Sequence, residues 1–203
     1  TLRGPRGGLI LSKGEVGNPF KAPEKIAKNL PTLIDRSVFP GLQGGPHMNN
    51  IAAKAVCFGE ALQPAFKSYA AQVLKNAKAM EAVFHRENIP MIFGGTSNHL
   101  IFIDVFKGFG IGGQVAQDIL DEAGISLNKN ATPDDERKPA DPSGIRLGTP
   151  AITTRGFSEV ESGRIAEIII NVLRNHTKEE VVFAAKKEIQ ELAVSFPIPN
   201  SHV

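Results

Sequence analysis

Gly144-Ile-Arg-Leu-Gly-Thr-Pro-Ala151 sets one arginine between two aliphatic residues and closes the triplet with glycines. Side chains alternate along an extended chain, so Ile145 and Leu147 fall on one face and Arg146 on the other. The stretch predicts a short strand, Gly144 to Leu147, whose apolar face meets a core and whose single cation faces away from it. On its N-terminal side, His99 to Val105 alternates like a second strand, Gln114 to Glu122 keeps a helical period, and Ile125 to Asn128 reads as a third strand. On its C-terminal side two amphipathic helices, about Ser158 to Arg174 and Lys178 to Val194, close the chain. Ser158 and Glu161 have the spacing of a capping box for the first. Strand, helix, strand, strand, helix, helix is the order of a small α/β lobe.

Further upstream, Met48 to Glu87 keeps three-to-four apolar spacing through Ile51, Phe58, Leu62, Tyr69, Val73, Met80 and Phe84. Pro64 should kink or split that helix, which is the natural place for a domain boundary. Lys13 to Lys28 mixes Gly, Pro, Asn and Lys and reads as a turn-rich surface insertion. Gly8 to Ser12 reads as a short buried strand.

Composition narrows the function classes. The 203 residues are 41% hydrophobic and 22% charged, an ordinary globular balance, and the formal charge of +2 comes from interspersed signs. No basic footprint points to nucleic acid or an anionic membrane surface. No apolar run approaches the roughly 18 residues of a membrane span. Cys57 is the single cysteine, so no internal disulfide forms, and the five histidines share no ligand spacing. That pattern fits a reducing, cytoplasmic setting.

Gly108-Phe-Gly-Ile-Gly-Gly113 matches the dinucleotide-binding GxGxxG between a strand and a helix. The following strand, however, ends in Asn128-Lys129-Asn130 where an acidic residue should meet the ribose. The glycines are therefore read as serving a turn. Gly44 and Gly45, ahead of the long helix, have two readings: amides that approach a phosphate without a Cβ in the way, or a loop that merely needs left-handed backbone. Asn128 to Ala140 has the composition of a solvated loop. Arg6 either braces the Gly4-Pro5 turn or lines a site. For Arg146, spacing alone leaves a structural ion pair and a ligand contact equally open.

Three segments, Thr1-Leu-Arg-Gly-Pro-Arg-Gly-Gly8, Phe39-Pro-Gly-Leu-Gln-Gly-Gly-Pro46 and Gly144 to Ala151, together resemble the serine hydroxymethyltransferases. The resemblance implies a fold-type-I pyridoxal-phosphate transferase. Residues 1 to 70 would finish the large domain and begin the interdomain helix, and 71 to 203 would form the small C-terminal α/β domain. The lysine that carries pyridoxal 5'-phosphate would stand just before Thr1, so the chain would be the C-terminal half of the enzyme, opening within an active-site loop and inactive alone. The implied reaction moves the hydroxymethyl carbon of serine to tetrahydrofolate, giving glycine and 5,10-methylenetetrahydrofolate.

By the same resemblance Arg146 clamps the substrate α-carboxylate, Arg6 sits close to the cofactor, and Thr1 adjoins its lysine. Gly44 and Gly45 contact the cofactor phosphate of a neighbouring subunit, which implies a homodimer or homotetramer. Leu42 departs from the family's usual Gly-Gly-Gln-Gly-Gly and leaves both glycines in place. Asn130 matches an asparagine near the pterin, and Lys138, Pro139 and Ala140 align with backbone that contacts the folate. Implied partners are serine, glycine, tetrahydrofolate and the N-terminal half of the enzyme, with no nucleic acid or membrane. Two other readings remain at this point: a folate-independent aldolase acting on β-hydroxy amino acids with the same cofactor, and a noncatalytic dimerisation module.

Overall fold

The computed structural model describes residues 2–14 and 16–199, and the chain divides into two compact units, Thr1–Gln63 and Pro64–Val203. In the first unit, helix α1 (Leu30–Arg36) starts where the Asn29 side chain accepts from the Thr32 amide at 3.0 Å. An irregular turn, Ser37–Leu42, leads toward helix α2 (Met48–Ala61), on which Cys57 is the buried residue. The strand expected at Gly8 to Ser12 does not form. Leu9, Ile10 and Leu11 are 64%, 65% and 84% exposed, because a strand is stable only beside a ladder partner and none is present among the described residues of this unit.

In the second unit, helix α3 (Pro64–Arg86) begins at Pro64 itself. The expected single helix is thus split, since proline is tolerated in a first turn and not in a helix interior. Strand β1 (Leu100–Asp104) runs into a one-turn helix α4 (Val105–Phe109), followed by α5 (Gly113–Glu122), β2 (Asn128–Asn130) and β3 (Gly144–Gly148). Helices α6 (Pro150–Thr154), α7 (Glu159–Arg174) and α8 (Glu179–Ser195) complete it. Ser158 and Glu161 form the expected capping box at the start of α7. The third strand lies later than Ile125 to Asn128. Gly124 leaves α5 at φ 85°, and Ile125 and Leu127 reach the core as irregular chain before pairing starts at Asn128.

The sheet is antiparallel in the order β1-β3-β2, with Phe102 and Asn128 flanking Arg146 in register. One face, built on the fully buried Ile101, Ile103 and Ile145, packs into a core shared with Met80 and Phe84 of α3, Leu120 of α5 and Ile169 and Leu173 of α7. The glycines of the GxGxxG stretch serve local turns: Gly110 caps α4 in the left-handed region and Gly112 is the N-cap of α5. No described helix is long and apolar enough to cross a membrane.

Candidate active site

β3 is the central strand, so both neighbours fix its height and tilt through backbone ladders. Ile145 is buried on the core side and Arg146 is exposed on the other, as alternation predicts. Gly144 and Gly148 lie two residues either side of Arg146 and share its face, which leaves the arginine as the single side chain that β3 presents there. The ring of Phe102 fills the space over Gly144, where a Cβ would stand 2.6 Å from Cε2.

The Arg146 side chain makes no hydrogen bond or ion pair with any described residue. Asp104, the carboxylate at the edge of the same face, is engaged elsewhere. It accepts from the Lys107 amide at 2.9 Å and pairs with Lys107 Nζ at 3.3 Å. Asn130 faces Gly144 in register and is a diagonal neighbour of Arg146 across β2 and β3, about 7 Å apart in such a sheet. Its Nδ2 donates to the Ala131 carbonyl at 3.0 Å.

The loop beyond Asn130 is ordered by two aspartates that composition could not reveal. Asp135 accepts from the Thr132 amide (3.0 Å), the Arg137 amide (3.0 Å), and the Ser143 amide (2.8 Å) and hydroxyl (2.7 Å). Burial alone would raise its pKa, but these donors outweigh that and hold the carboxyl well below the usual carboxylate range. Asp141 accepts from the Gln114 amide at 3.0 Å and from the Arg137 guanidinium. It thereby caps α5, whose own N-cap is a glycine. A Cβ on Gly112 would collide with the Asp141 carboxylate, so this glycine is required by a close approach. The Arg137 guanidinium stacks 4.5 Å from the Phe106 ring centroid.

Lys138, Pro139 and Ala140 lie exposed on this loop. The Lys138 carbonyl accepts from the Asp141 amide at 2.9 Å, and that of Ala140 accepts from Lys129 Nζ at 2.7 Å.

In the first unit, Gly44 and Gly45 are exposed, with no described atom within 4 Å of where either Cβ would stand. Neither has positive φ, so the left-handed-loop reading does not hold. They lead into the N-terminus of α2, whose N-cap, His47, supplies no side-chain hydrogen bond. Open amides beside an uncapped helix start fit an anionic group such as a phosphate. Arg6 is exposed and makes no hydrogen bond or ion pair with a described residue, so it does not brace the Gly4-Pro5 turn. That turn is held instead by Cys57, whose Sγ donates to the Leu2 carbonyl at 3.0 Å and packs where a Gly4 Cβ would be. Thr1 lies outside the described residues.

The structure thus sets Arg146 on the central strand with Asn130 on the same face of the neighbouring β2. It ties the Lys138 to Ala140 loop to β2 through Lys129, whose side chain shares the face of Ile145 and not that of Arg146, and it leaves Gly44, Gly45 and Arg6 in the other unit. The family model of serine hydroxymethyltransferase matches residues 1–169 of the 203. The chain belongs to that family. Serine hydroxymethyltransferases are pyridoxal-phosphate-dependent transferases that move a hydroxymethyl group between serine and a folate, and the small three-stranded sheet with its helices is consistent with their α/β class. Among the described residues no cluster of three or more His, Cys, Asp and Glu side chains is placed to hold a metal ion.

Proposed function

We propose that this chain supplies the carboxylate clamp, part of the phosphate cradle and part of the folate site of a cytoplasmic serine hydroxymethyltransferase. In this reading it is the C-terminal half of the enzyme. Residues 1 to about 70 complete the large domain and 71 to 203 form the small domain, in a homodimer or homotetramer that also contains the N-terminal half. The observation that carries the reading is Arg146. It is a lone guanidinium on the exposed face of a central strand, flanked by glycines and without an ion pair among the described residues. An unpartnered arginine on a strand held from both sides is suited to an incoming carboxylate, on which its planar fork places two charge-assisted hydrogen bonds.

Pyridoxal 5'-phosphate, when bound, supplies the electron sink that lets a bond to the amino-acid Cα break. Gly44 and Gly45 would hold the phosphate of a neighbouring subunit's cofactor through their amides, while Arg6 would sit close to the cofactor and Thr1 would adjoin its lysine. Arg146 fixes one end of serine and so sets which Cα bond faces the reacting group. Asn130 and the backbone from Lys138 to Ala140 would meet the pterin of tetrahydrofolate.

Arg146→Ala in the full-length holoenzyme should cost on the order of 3 kcal/mol, roughly a hundredfold in serine affinity. Arg146→Lys should recover little of it, because a point charge cannot hold both carboxylate oxygens. Serine is titrated against the cofactor absorbance, with thermal unfolding measured in parallel. A destabilised Arg146→Ala protein with wild-type serine affinity would end the assignment.

A further inference from the structure

Behind the strand that carries Arg146 lies a closed ring of buried hydrogen bonds, all within the second unit. Thr149 Oγ1 donates to the Val73 carbonyl of α3 at 2.8 Å. Thr153 Oγ1 donates to the Thr149 carbonyl at 2.8 Å and accepts from Asn76 Nδ2, again of α3, at 2.8 Å. Asn76 Nδ2 also donates to the Phe157 carbonyl at 2.9 Å, and its Oδ1 accepts from Gln72 at 2.8 Å. Asn76 and Thr149 are fully buried and Thr153 is nearly so. The Thr149 amide closes the arrangement on the β1 side by donating to the His99 carbonyl at 3.1 Å.

Two features show what the ring does. Thr149 is the N-cap of α6, a position where a threonine hydroxyl ordinarily accepts from an amide of its own helix, yet here it makes no such bond and reaches sideways to α3. Its hydroxyl is therefore committed to tying the end of β3 to α3. Arg146, three residues earlier, has no side-chain partner among the described residues, so what the fold fixes is the point and direction at which its side chain leaves the strand. The ladders to β1 and β2 resist sideways movement, and the ring resists sliding and tilting at the β3 terminus.

We infer that Asn76, Thr149 and Thr153 are positioning residues for the substrate carboxylate, acting through β3 on Arg146; this rests on Arg146 being the clamp. They touch neither substrate nor cofactor. Their contribution is the angle at which the fork meets two oxygens, to which a bidentate contact is sensitive.

The test uses full-length holoenzyme. Thr149→Val keeps the buried volume and removes only the tie to Val73, while Thr149→Ser keeps the hydroxyl. Thr149→Val should weaken serine binding about tenfold. Its retention of pyridoxal 5'-phosphate on dialysis should stay at wild-type level, and Thr149→Ser should bind serine normally. If Thr149→Val yields no folded holoenzyme, Thr153→Val opens the same ring and is read in the same way. A Thr149→Val enzyme that binds serine within about twofold of wild type, or that loses serine and cofactor in parallel, overturns the inference and leaves the ring a general stabiliser. The clamp assignment fails separately, through unchanged serine affinity in Arg146→Ala; a weakened Arg146→Ala beside an unaffected Thr149→Val overturns the positioning role alone.

Discussion

Gly144→Ala probes how tightly the sheet is built around the candidate clamp. A Cβ at Gly144 would stand 2.6 Å from Phe102 Cε2, 2.9 Å from the Asn130 carbonyl oxygen and 3.1 Å from that of Ile103. Carbon atoms pack best near 3.5–4.0 Å, so the shortfall against the ring is on the order of 1 Å. The phenyl ring can turn, but the two carbonyls belong to the strands on opposite sides of β3, and the strand cannot relieve one contact without worsening the other. Overpacking of this kind costs about 3 kcal/mol, from which up to about 1 kcal/mol is offset by the reduced freedom of the unfolded chain. A net loss of about 2 to 3 kcal/mol should lower the melting midpoint of the second unit by about 6 to 9 °C. Gly148→Ala is the internal control, because its Cβ would meet its nearest neighbours at 3.3, 3.4 and 3.5 Å. It should melt within about 2 °C of wild type. Thermal unfolding of the full-length protein, followed by circular dichroism, compares the two. Equal midpoints for both variants would refute the claim that Gly144 is sterically required.

Gly45→Val should leave stability unchanged, since no described atom lies near its Cβ, yet weaken cofactor retention about tenfold or more through loss of an amide approach to phosphate; unaltered retention in a folded oligomer, read from absorbance after dialysis, would remove the cradle assignment. Asp135 has a depressed folded pKa, so its stabilisation is complete above the unfolded carboxylate value of about 4 and fades as pH falls below it. Asp135→Asn should therefore melt lower at pH 7 and show a flatter acid limb, checked by melting curves from about pH 7 to pH 2.

What was legible in the sequence was local. Alternation placed Arg146 away from the core, Ser158 and Glu161 specified a helix start, and Pro64 marked where the long helical run is split. Gly8 to Ser12 misled because strand formation depends on a partner, which no window of a few residues encodes. The third strand slipped because Ile125 and Leu127 pack, partly buried, against the core without ladder bonds. The short helices α1, α4 and α6 were missed, each being too brief for a period to show. Asp135 and Asp141 look like ordinary solvated loop residues until the fold delivers amide donors from Thr132, Ser143 and Gln114. Asn76 did leave a trace: it falls on the stripe of Val73, Ala77, Met80 and Phe84, and a polar side chain on a buried helix face must find partners.

The two sets of candidate residues are held in different ways, and that difference follows from what surrounds each. Arg146 stands on a strand with ladders on both sides, an apolar core beneath it and a buried polar ring at its end. Gly44 and Gly45 stand on exposed chain, and the helix they precede leaves Ile51 and Val56 46% and 63% exposed. A bidentate contact requires an orientation fixed before the ligand arrives, because angular error removes one of its two hydrogen bonds. Amide contacts to a phosphate tolerate more, since the anion presents acceptor oxygens in several directions. The rigid element of this chain therefore carries the group whose chemistry is directional, and the open loop carries the groups whose chemistry is least so.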